Sequence, residues 1–265
     1  MAFALPQSPA QPAAPRTPVQ HSAASAQATK SPQAKTQAEY DSYKAAAALT
    51  DAAKLEAAAT EFAQKFPASE LRSILFQQDM GLYQQANDSN KALDTARTVL
   101  KYDPGNAVAL LTAGQILAER THESDLDHDD RLAEASADAH SALQNAAGIA
   151  PPTNLTSEQF SAVLAELRGT VHEVLATVAF KKQDHFTAIK EFNLAIAEEK
   201  EHTDAVVWLR LSVAHDKSGD YNSAESAVQK AIAASQAGSQ VRQLAEQEKT
   251  RLEKLSPQAA KPAGK

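Results

Sequence analysis

The 265-residue chain contains no cysteine. That absence excludes disulfides, thiolate metal sites and a cysteine nucleophile. Glycine occurs only 8 times and aromatic residues make up only 5%, whereas a sheet protein asks for more aromatic and β-branched side chains. No run approaches the roughly 18 apolar residues of a membrane-spanning helix. Positive charge is also short: 26 Lys and Arg against 33 Asp and Glu leave −7. Nucleic-acid binding normally needs a basic face, so no nucleic-acid partner is expected. No Gly-rich phosphate loop, Gly-x-Ser-x-Gly elbow or Cys–His pairing occurs, so no enzyme and no cofactor are expected. What the chain has is alanine, which supplies much of its 43% hydrophobic share. Alanine is a strong helix former that buries little area. This composition suits helices that approach closely over small side chains.

Residues 1–37 carry Pro6, Pro9, Pro12, Pro15, Pro18 and Pro32 without apolar periodicity. They are expected to form a disordered, partly extended tether rich in Pro, Ala and Gln. Ala2-Phe3-Ala4 has the small-x-small form of a signal-peptidase site, but the usual charged and apolar regions are missing. Two readings stay open: a signal-peptide remnant of a periplasmic or exported protein, or an ordinary cytoplasmic tail. Residues 256–265 are expected to be a second disordered tail. Between them, 38–255, stop and start signals recur at short intervals: Thr50-Asp51, Pro67, Asn87-Asp88, Pro104-Gly105, Pro151-Pro152 and Gly219-Asp220. The segments between carry apolar residues at helical spacing.

Those segments repeat. "AVVWLRLSVAHDKSGDYNSAESAVQKAIAAS" places Trp208, Leu211, Ser212, His215, Ala224, Val228 and Ala231 in order. A unit before it carries Leu175-Ala176, then Ala188, Phe192 and Ala195. Another carries Phe76, Tyr83, Ala92 and Ala96 and closes on Pro104, with Asp79 standing where leucine is expected. After Pro104 come Leu110, Ala113-Gly114 and Leu117, then Ala135, Ala139 and Ala142. A poorer unit around Tyr40 and Tyr43 ends at Pro67. This arrangement resembles the tetratricopeptide repeat, W-x2-L-G-x2-Y followed by A-x3-F and Pro over about 34 residues. The stretch "FAQKFPAS" is similar to repeats of bacterial envelope proteins, including outer-membrane assembly lipoproteins. Ser212 for glycine, His215 for tyrosine, Val228 for phenylalanine and a missing closing proline are the departures in the last unit.

The resemblance implies an all-α, right-handed α-solenoid of about five tandem helix pairs. Its repeat core is Phe76, Tyr83, Ala92, Gly114, Ala135, Ala188, Phe192, Trp208, Leu211 and Ala224. Trp208 could be a binding hot spot, but its place in the pattern favours the core. "LTSEQFSAVLAELRGTVHEVLATVAFKK" reads as one long helix, with Thr156 and Gln159 in capping-box register and Gly169 as a candidate bend. "SQVRQLAEQEKTRLEKL", with one apolar stripe, reads as a C-terminal capping helix.

"THESDLDHDD", 121–130, falls within the third pair as an enlarged helix–helix turn. Asp125, Asp127 and Asp129 alternate as in a calcium loop, but Asp130 and Ser136 stand where the loop needs glycine and a bidentate glutamate. His122 and His128 with a carboxylate would be the transition-metal version. A solvated acidic loop is the expectation, and metal binding the alternative. His172-Glu173 and His122-Glu123 lack the second histidine of a zinc-protease helix, at Ala176 and Leu126.

In the resembled family the first helices of the pairs line a concave groove that binds a peptide or partner protein. By position the groove candidates are Gln77, Gln84, Leu111, Gln115, Glu173, Thr177, Leu209 and Val213. Gln77, Gly81, Leu111 and Gln115 do not match the family's carboxylate-clamp pattern, so capture of an acidic C-terminus is not expected. The function expected is a protein–protein interaction scaffold or adaptor. A self-associating assembly factor is a further alternative.

Overall fold

The computed structural model describes residues 32–149, 151, 155–200 and 203–259, with side chains to 255. The expected tether therefore lies mostly outside the described residues. Among those described, eleven helices account for the regular structure: α1 Gln37–Ala47, α2 Ala52–Lys65, α3 Leu71–Gln85, α4 Ser89–Tyr102, α5 Ala107–Arg120, α6 His128–Ala146, α7 Ser157–Lys181, α8 His185–Glu199, α9 Ala205–Ser218, α10 Tyr221–Ala234 and α11 Gln240–Ala259. The fold is all-α.

Each helix packs on its neighbours in sequence, giving the pairs α1–α2, α3–α4, α5–α6, α7–α8 and α9–α10, with α11 against the last. Odd-numbered helices also touch across pairs: α1 with α3, α5 with α7, α9 with α11. No two even-numbered helices pack to the same degree among the described residues. The odd helices therefore follow the inner, shorter line of a curved stack.

The turns show why the chain folds back at regular intervals. In the second, fourth and fifth pairs the residue before the second helix is an aspartate whose carboxylate accepts from a first-turn backbone N–H: Asp88 from Lys91, Asp184 from Thr187 and Asp220 from Ser223. Such caps satisfy donors the helix cannot satisfy itself. The residue before each cap has positive φ: Asn87 at 56°, Gln183 at 61° and Gly219 at 84°. The same backbone bonds close all three turns, as in Asp88 N–H to Tyr83 O, Asp184 N–H to Ala179 O and Asp220 N–H to His215 O.

The core runs along the stack as overlapping clusters. The first, around Leu55, Phe62, Leu75, Phe76 and Met80, holds most of the aromatic packing, with Tyr43 edge-on to Phe62 at 6.4 Å and Phe76 stacked on Tyr102 at 5.7 Å. Later clusters rest on alanines 135, 139, 142, 176 and 188, with Phe192. Small residues sit where helices cross. A Cβ on Gly114 of α5 would lie 3.0 Å from the Ala135 carbonyl oxygen of α6. Ser212 of α9 is buried, and its hydroxyl donates to Ala224 O of α10 at 2.8 Å.

Three local features differ from the sequence-based expectation. Gly169 lies inside the uninterrupted α7, where its missing side chain makes room for Glu199; a Cβ there would lie 2.8 Å from Glu199 Cγ. The enlarged turn ends sooner than 130, because His128, Asp129 and Asp130 form the first turn of α6. Carboxylates are favoured there by the helix dipole. At the C-terminus α11 continues through Ala259 rather than stopping at 255. Pro257 falls in its last turn, where it has no N–H to bond back to the Glu253 carbonyl.

Candidate functional site

The inner face is built by one side of α3, α5, α7 and α9. Leu111 and Gln115 of α5, Glu173 and Thr177 of α7, and Leu209 and Val213 of α9 are each partly exposed, at four-residue intervals. That interval returns a side chain to the same face of a helix. Gln77 and Gln84 of α3 are tied to the next pair. Asn106 donates to Gln77 Oε1 at 2.8 Å, and Gln84 Nε2 donates to the Thr112 hydroxyl at 3.3 Å. Each bond uses one end of its amide.

The same four-residue stride leads to residues the sequence reading omitted. Glu119 follows Gln115, and Lys181 follows Thr177. Lys181 Nζ donates to Glu119 O at 2.8 Å and Thr121 O at 2.6 Å, fixing the end of α7 to the end of α5. Arg210 of α9 reaches past α7 to Glu119, 3.9 Å away. Burial and then Arg210 hold the Lys181 ammonium below its ordinary value. Glu173 is pushed up to about 8, chiefly by burial, then by a hydrogen bond and charge from Glu199, with Arg210 opposing. Burial and the nearby Glu199 thus disfavour the charged form of Glu173.

The inner face therefore has two zones. Amides line α3 and the middle of α5; charged side chains gather at the end of α5, where Lys181 of α7 bonds backbone carbonyls and Arg210 of α9 pairs with Glu119. Leu111, Leu209 and Val213 are the apolar points between.

The repeat-core candidates are placed as follows. Phe76, Tyr83, Ala92, Gly114, Ala135, Ala188, Phe192, Leu211 and Ala224 are buried. Trp208 is only half-buried, between the last two clusters, with Lys230 Nζ 4.2 Å from its ring centroid. His215 is largely buried, and its Nδ1 lies 3.5 Å from Asp220. That distance carries no hydrogen bond with acceptable angles. Burial holds its pKa below the usual histidine value. It is a neutral packing group.

The acidic turn does not gather its carboxylates. Asp125 turns inward, accepting from the His122 backbone N–H at 2.8 Å and lying 3.7 Å from Arg131. Those contacts hold it below the usual carboxylate range, the His122 bond first. Asp127 lies 3.9 Å from Arg131, and Asp129 faces His128 at 2.9 Å. Among the described residues no three His, Asp or Glu side chains converge to hold a metal ion. The calcium alternative is not favoured. His172 pairs with Glu191 of α8 at 2.7 Å, a contact between helices of one pair.

No protein-family model matches the chain, and no curated protein matches it either. Solved structures do. One is TTC0263, a thermophilic tetratricopeptide-repeat protein of Thermus thermophilus, at 12% identity and TM-score 0.49, covering 79% of this chain and 98% of that one. Another is PilW, a type IV pilus biogenesis factor, at 17% and 0.49, covering 87% and 96%. The tetratricopeptide domain of P58(IPK) follows at 14% and 0.31, covering 84% and 66%. The chain's own helix pairs, capped turns and small-residue crossings carry the assignment. The fold is a tetratricopeptide-type α-solenoid. Among the described residues no helix of this solenoid is long and apolar enough to cross a membrane.

Proposed function

We propose that the solenoid is a protein-interaction scaffold that docks a peptide or partner protein along its inner face. The observation that carries this is that odd-numbered helices pack on one another across pairs, α5 on α7 among them, with apolar and amide side chains of α3, α5, α7 and α9 left partly exposed. Leu111, Leu209 and Val213 supply apolar anchors. Gln77, Gln84, Gln115 and Thr177 satisfy backbone groups of an extended ligand. Binding rather than catalysis is the role this lining suits.

The test is affinity capture with crosslinking from the source cells, comparing the wild type with a triple alanine variant at Leu111, Leu209 and Val213. Loss of the specifically captured proteins supports the inner face. An unchanged set of partners overturns it. Fractionating the cells beforehand checks the expectation of export.

A further inference from the structure

Two apolar side chains stand out into solvent on one edge of the stack. Leu126, in the turn between α5 and α6, is 108% exposed, and Phe186, in the first turn of α8, is 82% exposed. The next large apolar residue among those described, Tyr40, is at 49%. The two turns are neighbours, because Lys181 at the end of α7 donates to the carbonyl of Thr121, where the α5–α6 turn begins. A lone exposed apolar side chain needs no explanation, so the surroundings of each decide what it can do.

Phe186 stands among cations. The core side of α8 is taken by Ala188, Phe192 and Ala195, and His185 packs on Phe180 with ring centroids 5.5 Å apart. Phe186 is thereby turned outward, and Lys190 and Leu194 follow it at four-residue intervals on the same exposed face. Lys182, which closes α7, is exposed as well. Asp184, between Lys182 and Phe186 in the chain, is committed to capping α8 through the Thr187 N–H.

Leu126 stands among anions. Arg131 lies 3.7 Å from Asp125 and 3.9 Å from Asp127. Glu123, Asp129 and Asp130, close to Leu126 in the chain, stay exposed. One patch is thus apolar and basic, the other apolar and acidic.

Each patch has the chemistry that complements the other. Burying an apolar side chain is favourable, and flanking charges of opposite sign fix which surface it meets. Within one chain the two patches do not cover each other, since Leu126 and Phe186 are both exposed. A second copy supplies the missing half. About a two-fold axis the Leu126 turn of one copy faces the Phe186 stripe of the other, and the same contact is made again in reverse. An anionic lipid surface or a nucleic acid is disfavoured, because the chain carries −7 overall and the acidic turn adjoins the lysines.

We propose that this edge is a self-association surface, on which the Leu126 turn of one copy docks against the Lys182–Phe186–Lys190 stripe of a second copy, twice about a two-fold axis. Two small contacts make a weak dimer, so sedimentation equilibrium of the full-length chain is followed from about 10 µM to about 1 mM, the range of small interfaces. The weight-average mass should rise toward twice the monomer value. Phe186→Ser, at an exposed position, should raise the dissociation constant about tenfold or more. The double variants Lys182→Glu with Lys190→Glu, and Glu123→Lys with Asp130→Lys, should each stay monomeric. Mixed in equal amounts, the two should associate again, because each patch then meets its opposite charge on the other variant. A wild type that stays monomeric through this range overturns the proposal. So does a dimer that Phe186→Ser leaves unchanged, or a mixture of the two charge variants that does not associate.

Discussion

The second and fifth helix pairs put different residues at the same crossing. In α9 the positions hold Leu211, 3% exposed, and Ser212, fully buried with its hydroxyl bonded to Ala224 O. In α3 they hold Asp79 and Met80, equally buried. Neither carboxylate oxygen of Asp79 finds a hydrogen-bond partner among the described residues. Beside it Tyr83 donates to Glu56 of α2 at 2.5 Å, and Lys91 of α4 donates to the same carboxylate at 3.0 Å. The partners Asp79 lacks are thus taken up by Glu56. Burial, then the Glu56 charge, push Asp79 up to about 7, against the pull of Lys91. A polar group at a crossing is harmless when bonded, as Ser212 is, and costly when orphaned. Repeats touch only their neighbours, so a costly residue in one pair leaves the others intact.

Copying the second pair into the fifth is the strongest way to break this comparison. Leu211→Asp removes a buried leucine and adds an unpartnered carboxylate, for a loss of roughly 4 kcal/mol or more. Chemical denaturation of both proteins measures it. A loss under about 1 kcal/mol would show that the crossing tolerates a carboxylate for reasons the fifth pair shares.

The reverse exchange has a signature in pH. Asp79 has a folded-state pKa above its unfolded value, so the folded chain keeps a proton that the unfolded chain releases. Stability then declines as pH rises from the ordinary aspartate value of 3.8 to about 7, and is flat above. The full decline is on the order of 3–4 kcal/mol. Asp79→Leu removes that slope and is the more stable protein at pH 8 by about 2–3 kcal/mol. Melting both proteins from pH 4 to 8 is the check. Parallel profiles would show that Asp79 does not titrate in this window.

Much of this was legible in the residues, for physical reasons. Helix content follows from alanine and from the punctuation at Asn87-Asp88 and Gly219-Asp220. The crossings follow from Ala113-Gly114, Leu175-Ala176 and Leu211-Ser212, where the second residue of each is small. Asp79 is a misfit in the repeat pattern itself, but its isolation depends on Glu56 taking both Tyr83 and Lys91. That contact joins residues 27 and 35 positions apart, which no local pattern encodes. The contacts of Lys181 and Arg210 with the end of α5 are not legible for the same reason. Glu119 and Lys181 continue the four-residue stride of the residues before them, yet Arg210 reaches Glu119, and Lys181 the carbonyls of Glu119 and Thr121, across 60 or more positions of chain. The carboxylates of 121–130 looked like one cluster, and Arg131 with the His122 N–H divides them.

The smallest expected effect sharpens the comparison at the turns. Both pairs close with the same backbone bonds and an aspartate cap, but the left-handed residue is Asn87 in one and Gly219 in the other. No atom lies within 4 Å of a Cβ built on Gly219, so a side chain there meets only the conformational cost of φ at 84°. Gly219→Ala should therefore lower stability by about 1 kcal/mol. Asparagine tolerates this conformation, so Asn87→Gly should change stability by less than about 0.5 kcal/mol. Gln183, at φ 61° in the fourth pair, has no such tolerance, and Gln183→Gly should gain about 1 kcal/mol. The three melting shifts together decide whether the turn geometry is a constraint shared by the pairs. If Gly219→Ala is neutral and Gln183→Gly gains nothing, the turns relax independently, and the aspartate caps alone set where each helix pair folds back.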